Sequence, residues 1–388
     1  MPQSSVITKP EVPVAIFQES SVPEAKTSFR WLITKCLSAL LFCLLGLFVA
    51  EATSRLLIAA AKPAASYSLE LDRKYQLAQV PLGKAPLILI MGDSLADFGL
   101  FSEYLATLLR ERGIQSQVLN LGVPGNTIAI NRALLEKAIL TGNKPSVLLY
   151  VVHPRVFNKN YQAKINEDLL GKTYLGRCEL GMAQPKPWSC FFEKHLFLVR
   201  YRSFLNERLR ALPDILLKPE SAFWLERQDY VRVETSPFGW APGYQSYTQP
   251  EFHKKFSQAL YFNKAKGDLG QYVWEAGPFL EFQRFCHKQG IQLVLLWLPE
   301  HPITNAYYVR YHLSPQALAK HFTTLGQQQG FPFINLHHAI THSIAYHDPD
   351  HLNAVGAVEA TRLLADTLLQ IPGFKQWLSL PTPQGGAQ

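Results

Sequence analysis

Five short apolar runs set the limits on what this chain can fold into: Pro86–Met91, Gln117–Leu121, Ser146–Val152, Ile291–Leu298 and Pro332–Leu336. Each is dominated by Val, Ile, Leu or aromatic residues, without the apolar–polar alternation of a strand that faces water on one side. Continuous apolar runs of this length are the pattern of strands buried on both faces. Helical patterns separate them at Leu100–Arg112, Thr127–Thr141, about 271–289, Ser314–Gln329 and Ala354–Gln370. In the first of these, Leu105, Leu108, Leu109 and Arg112 show the spacing of one helix face, and Gly113 follows as a C-cap. Ser314 and Pro315 open another as N-cap and first-turn proline. The alternation predicts an α/β fold, a parallel sheet covered by helices on both sides to make three layers.

A different pattern precedes the first strand. Residues 1–30 form a polar tail, and residues 31–61 form one long apolar segment. Cys36–Ala50 carries no charge and is bounded by Lys35 and Glu51. With its flanks the segment exceeds the ~20 residues that cross a bilayer, so it is expected to be a transmembrane helix. The tail is longer than the usual n-region of a signal peptide, and Cys43 follows Phe42 where a lipoprotein signal needs a small residue. Lys26, Arg30 and Lys35 lie before the span, with Arg55 and Lys62 after it. That balance leans toward a cytoplasmic N-terminus. Residues 62–84 read as a connector rich in Lys, Pro, Ala and Tyr.

A hydrophobic share of 47% against 18% charged residues excludes a disordered chain. The formal net charge is +8, yet no long Lys/Arg run occurs. The pattern suits a solvated basic surface, or one facing anionic lipid or cell-wall polymer, rather than nucleic acid. Cys178 and Cys190 flank a short loop-like stretch and could pair in an oxidising compartment or stay as two thiols, while Cys286 falls on a helical pattern as a core residue.

The strand–helix rhythm breaks between Val152 and about residue 270. We read 156–269 as a mainly helical insertion in an α/β domain made of 85–155 and 270–371, with Phe191–Leu212 as one helix and Thr235–Pro250 as loop. Insertions of this kind commonly cover a site or bind partners. Residues 372–388 read as a flexible tail.

Sheets of this class gather ligand groups beyond the carboxyl ends of their strands. The first run ends in Gly92-Asp93-Ser94, the second leads to Gly122-Val123-Pro124-Gly125-Asn126-Thr127, and the third to His153-Pro154-Arg155. The fourth ends in Pro299-Glu300-His301, and the passage before the last helix holds His347-Asp348-Pro349-Asp350-His351. Asp348 and His351 are spaced so that a carboxylate can turn back to Nδ1 of the imidazole and leave Nε2 free to take a serine proton. Asp350, adjacent in sequence, reaches that ring less easily. Asp93 is read as a buttress of the serine turn. His338 and His342 have metal-ligand spacing if helical, but no Glu or Cys accompanies them, and neither metal nor cofactor is expected.

Together, Gly92-Asp93-Ser94-Leu95, Gly125-Asn126-Thr127 and Asp348-x-x-His351, each in its strand–turn–helix context, resemble blocks one, two and five of the SGNH/GDSL hydrolases. The resemblance covers about 86–155 and 270–370. It implies a three-layer SGNH-type parallel sheet, with Ser94 as nucleophile, His351 as general base and Asp348 as its orienting acid. It further implies that the backbone N–H groups of Ser94 and Gly125 form part of an oxyanion hole. The family's third block, Gly-x-Asn-Asp, is absent. His153, Arg155 or Asn158 would have to supply an oxyanion or substrate contact there.

This block looks more like the membrane-anchored SGNH proteins that accompany membrane-bound O-acyltransferases, such as the teichoic-acid D-alanylation partner and the alginate acetylation proteins. By that resemblance the chain is expected to be a membrane-anchored esterase or O-acyltransferase, acting outside the cytoplasm on acyl, foremost acetyl, groups of a glycan or envelope polymer. A membrane-bound O-acyltransferase would be its partner. The altered third block motivates a different expectation, an SGNH-fold envelope protein that binds a polymer or membrane partner without catalysis.

Overall fold

A computed structural model of the chain describes residues 29–60, 67–168, 171, 173–179, 186–206, 273–305, 308 and 313–379. Residues 1–28 of the polar tail, most of the insertion with its 235–250 passage, and residues 380–388 lie outside the described residues. The chain divides into two units, Met1–Ala50 and Glu51–Gln388. Helix α1 runs over Phe29–Ala60. Within the first unit it leaves Leu41, Phe42 and Phe48 exposed. The most apolar 18 residues of its Trp31–Ala59 stretch have a mean hydropathy of 2.3, and among the described residues it is the one helix long and apolar enough to cross a membrane. That length and composition suit a single-pass anchor or a signal sequence.

The second unit is built on β1 (Leu87–Met91), β2 (Gln117–Asn120), β3 (Val147–Val151), β4 (Gln292–Trp297) and β5 (Phe333–Asn335). They form one sheet in the order β2-β1-β3-β4-β5, and every neighbouring pair is parallel. Helices α3 (Ser94–Gly99) and α4 (Ser102–Glu111) follow β1, α5 (Ile128–Leu140) follows β2, α9 (Gly277–Lys288) precedes β4, α10 (Pro315–Gln329) precedes β5, and α11 (Ala354–Leu368) follows it. Side chains alternate across β1: Leu87, Leu89 and Met91 pack with α5, α9 and α10, while Ile88 and Ile90 pack with α4 and α11. The sheet is therefore an α/β layer with a core on each face, and each strand lies inside the apolar run read for it.

Four local readings change. The connector 62–84 contains a helix, α2 (Tyr67–Leu77), because Leu71 and Ala78 pack into the core against β1 and α5. The helix expected over 100–112 begins only at Ser102, after an extended Leu100, and the N–H of Phe101 is held by Oγ1 of Thr361. The single helix expected over 191–212 is broken at an extended Leu196 into α7 (Pro187–His195) and α8 (Phe197–Arg200), with 202–206 helical again. Glu51 causes the break by capping α8, its carboxylate accepting from the N–H groups of Phe197 and Leu198 at 2.9 and 3.0 Å. Finally, the tail read from 372 forms α12 (Phe374–Ser379), because Phe374 and Leu378 bury against the second core face. Cys178, between α6 (Lys159–Asp168) and α7, forms a disulfide with Cys190 of α7.

The element that positions the carboxyl end of β1 is one the sequence does not advertise. Lys74 of α2 is buried, and its ammonium donates to Asp97 Oδ1 at 2.8 Å and to the Asn120 carbonyl at 3.1 Å. Asn120, at the end of β2, donates in turn to the carbonyls of Ala96 and Leu100 at 2.7 and 3.1 Å. Helix α3 is thus clamped from two sides. A buried charge stripped of its partner is costly, so Lys74→Ala is expected to lower unfolding free energy by roughly 3 kcal/mol. Urea titration checks this against Lys84→Ala, an exposed neighbour expected to change stability by less than about 0.5 kcal/mol.

Candidate active site

Strand order reverses at β1, which lies between β2 and β3, and a crevice at such a switch point is where sheets of this class bind ligands. Directly after β1, Gly92 adopts φ +147°, and a Cβ there would sit 2.6 Å from the Val151 carbonyl of β3. Only glycine fits where the chain turns this tightly against its neighbour. Asp93 follows as N-cap of α3, its Oδ1 accepting from the Leu95 N–H at 3.0 Å, as the buttress reading expects. Ser94 is the first residue of that helix and is buried.

The loop before α11 approaches from the other side. An antiparallel bridge between Tyr346 and Leu352 closes it, and Asn353 caps α11 by accepting from the N–H groups of Val355 and Gly356. Inside the loop, Asp348 Oδ1 accepts from the backbone N–H groups of Asp350 and His351 at 3.1 and 2.9 Å. This turn aims the carboxylate at the imidazole: Asp348 Oδ1 and Oδ2 lie 2.8 and 2.9 Å from His351 Nδ1. His351 Nε2 lies 2.7 Å from Ser94 Oγ. Phe98 packs edge-on against the His351 ring, with centroids 5.2 Å apart. Ser94, His351 and Asp348 therefore form one continuous hydrogen-bonded line.

Asp350 stands closer than its sequence position suggests, with Oδ1 3.3 Å from His351 Nδ1. Burial by itself would lower the His351 pKa, but the charges of Asp348 and Asp350 hold it well above the ordinary histidine value. Burial opposes the Asp350 charge, and His351 and Arg155 nevertheless hold that carboxyl well below the usual range. Arg155 spans both sides of the site. Its Nη2 lies 3.4 Å from Asp350 Oδ2, and its Nε lies 3.6 Å from Asp93 Oδ2.

The other residues singled out beyond β3 are placed elsewhere. His153 is turned inward: its Nδ1 accepts from the Arg155 N–H, and its Nε2 lies 3.3 Å from the Tyr308 hydroxyl. Asn158 is buried, its Oδ1 accepting from the N–H groups of Asn160 and Val273 at 3.2 and 3.4 Å. It stitches the two ends of the insertion together, helped by its bridge to Trp274. Neither side chain is hydrogen-bonded to Ser94, His351 or Asp348, and of the three Arg155 alone reaches the carboxylates of Asp93 and Asp350 that flank them. Gly125 has φ +64°, and its turn is tied to β1 by Asn126, whose amide donates to the Gly92 carbonyl at 3.0 Å. Among the described residues, the backbone N–H groups of Ser94 and Gly125 donate to no protein acceptor.

Behind His153 lies a buried group that the sequence reading placed at a strand end without giving it a role. Glu300 accepts from Trp297 Nε1 at 2.9 Å and from the Tyr308 hydroxyl at 2.8 Å. Burial pushes its pKa up to about 7, against the pull of those donors. Burial also holds His153 well below its ordinary value and brings His337, stacked on Trp297, down to about 3. This cluster fixes the backbone from which Arg155 projects. His338 and His342 lie outside any helix, and His342 pairs with Glu359 at 3.1 Å. The ligand atoms of Asp348, Asp350 and His351 fall within 4.8 Å of one another, a set that could hold a cation, but the hydrogen bonds to Nδ1 already account for their grouping.

No family model and no curated protein matches the chain. Similar solved structures include a gut microbial diltiazem-metabolizing enzyme at 10% identity, covering 76% of this chain and 49% of that one, with a TM-score of 0.34. The chain thus spans about half of that protein's length. An acetylxylan esterase from Geobacillus stearothermophilus gives 11% identity, 74% and 94% coverage and a TM-score of 0.34. A GDSL-like lipase from Bacteroides thetaiotaomicron gives 10%, 78% and 98%, and 0.30. Overlaps this shallow carry no argument about chemistry, which rests on the chain's own geometry.

The charges around His351 fix the sign of its pH behaviour. Only the neutral imidazole can accept the Ser94 proton, so the serine's reactivity toward an organophosphorus probe rises with pH through a midpoint above ~6.5. Asp350→Asn removes one of the two charges that hold the proton on, and the midpoint of the inactivation-rate profile is expected to shift to lower pH. Stability runs in the opposite sense: the raised folded value adds stability that is fully present below the unfolded pKa and is lost as pH rises through the folded one.

Proposed function

We propose that the chain is a serine esterase or O-acyltransferase of the SGNH type. The observation that carries this reading is the line from Asp348 through His351 to Ser94 at the carboxyl end of β1, with distances of 2.8 and 2.7 Å. In the first step Ser94 Oγ attacks the acyl carbonyl carbon while His351 Nε2 takes its proton. The developing oxyanion is met by the N–H groups of Ser94 and Gly125, each such donor being worth roughly 3 kcal/mol at acyl-transfer sites. Collapse breaks the ester C–O bond, His351 returns the proton to the leaving alkoxide, and the acyl group remains on Ser94. Attack by water then completes hydrolysis, whereas attack by a sugar hydroxyl completes transfer.

In this reading Arg155 stands in for the family's third-block asparagine. Held against Asp93 and Asp350, it is positioned to bind a polar acceptor or to add charge beside the oxyanion, and this favours a hydroxyl-rich glycan as substrate. The apolar stretch Trp31–Ala59 supports a single-pass anchor, and the Cys178–Cys190 disulfide supports an oxidising, extracytoplasmic location for the second unit. The likeness of the third block to membrane-anchored SGNH partners of O-acyltransferases supports acetyl as the acyl group, an envelope polymer as acceptor and a membrane-bound O-acyltransferase as partner. The missing asparagine also favours one second reading, a polymer-binding protein that keeps the fold without catalysis.

The purified full chain in detergent is expected to cleave a chromogenic acetyl ester, and Ser94→Ala to reduce kcat/KM on the order of 10⁴-fold or more. Absence of turnover in a folded wild-type protein would favour the binding reading. Turnover that Ser94→Ala leaves intact would remove Ser94 from the mechanism.

A further inference from the structure

Helix α7 carries an exposed aromatic stripe. Trp188, Phe191, Phe192 and His195 recur at the spacing of one helix face, and the three hydrophobic residues are 60%, 59% and 41% exposed. Their rings form a continuous set: Trp188–Phe192 at 6.2 Å, Phe191–Phe192 at 5.8 Å and Phe191–His195 at 4.6 Å. The other face of α7 is fastened inward. Cys190 is held by the disulfide to Cys178, and the buried carboxylate of Glu193 accepts from Arg177 at 2.5 Å and from Arg202 at 3.1 Å. Glu193 is the only acid on this helix, so its open side carries cations alone, with Lys194 and the preceding Lys186 both exposed. A rotation that hid the stripe would break the disulfide and both ion pairs.

The place where α7 is fastened identifies what meets the stripe. Arg55 donates to the His195 carbonyl at 3.0 Å, and Glu51 caps the helix that begins at Phe197. Ile58 packs with Leu69, Tyr201, Phe204 and Leu205 in the same region. Glu51 is the first charge after the uncharged Cys36–Ala50 run. Trp31–Ala50 is about 20 residues, roughly the 30 Å of a hydrocarbon core. A chain that crosses a bilayer through that run emerges at Glu51, so α7 is anchored within side-chain reach of the exit point. Trp and other amphipathic rings favour the headgroup region, and lysines beside them pair with anionic lipid.

We propose that the Trp188–Phe191–Phe192–His195 stripe is embedded in the headgroup layer of the bilayer that α1 spans, and holds the second unit against that surface. The inference rests on the anchor reading and extends it from one point of attachment to two. The test reconstitutes the full chain in phosphatidylcholine–phosphatidylglycerol vesicles with lipids brominated at the headgroup end of the acyl chains. It takes the difference in tryptophan emission between wild type and Trp188→Phe, and separately between wild type and Trp31→Phe. The expected result is bromolipid quenching of both difference signals to a comparable extent, with the Trp188 signal weakened by Phe191→Ser/Phe192→Ser. Quenching of the Trp31 signal alone would leave the anchor standing and overturn the proposal, because the stripe would then face water or be covered by protein. Quenching of neither would overturn the anchor and the proposal together.

Discussion

The hydrogen bond between Ser94 and His351 joins positions 257 residues apart in sequence, and most of the second unit can be understood as what holds its two ends together. One end is set by a parallel strand that stops at a glycine lying against β3, and by a short helix capped by Asp93. The other is set by a loop that uses its own backbone N–H groups to aim Asp348. Neither end is rigid by itself. A helix of six residues such as α3 has little intrinsic stability, and a His/Asp loop before a helix has several conformations open to it.

Two charged pairings remove that freedom. From below, Lys74 and Asn120 hold α3 to the sheet through its Asp97 side chain and its carbonyls. From above, Arg155 lies between Asp93 on the serine turn and Asp350 on the histidine loop, so one guanidinium reads the position of both. This arrangement also sets the electrostatics. Two carboxylates beside His351 favour its protonated form, and Arg155 offsets part of that charge from between Asp93 and Asp350. The buried Glu300–Tyr308–His153 group secures the backbone behind Arg155. The site is thus a chain of supports in which Arg155, paired with Asp93 and Asp350, carries structural weight.

What could be read from sequence follows from how local the signals are. Strands buried on both faces announce themselves as apolar runs, and the strand–helix rhythm sufficed for the α/β sheet and its three layers. The serine turn, the glycine loop and the Asp–His spacing are likewise short-range patterns, so the residues of the crevice were visible before their distances were. Long-range partnerships leave no such trace. Lys74 sits in a stretch with the composition of a connector, and nothing near it in sequence predicts Asp97. Asp350 appears too close in sequence to reach the His351 ring until the bridge between Tyr346 and Leu352 bends the loop. Asn158 had the right residue type in the right region but is consumed by the seam of the insertion. The break between α7 and α8 is imposed by Glu51, a residue from another helix altogether.

The central claim is that Ser94 carries the acyl group. Intact-mass and peptide analysis of the full chain, quenched in acid during turnover of an activated acetyl ester, tests it most directly. The account predicts the mass of one acetyl group on the peptide containing Ser94, formed faster at higher pH and absent from Ser94→Ala. An adduct on any other residue, or steady turnover with no covalent acyl intermediate at Ser94 under conditions that make deacylation rate-limiting, would contradict it.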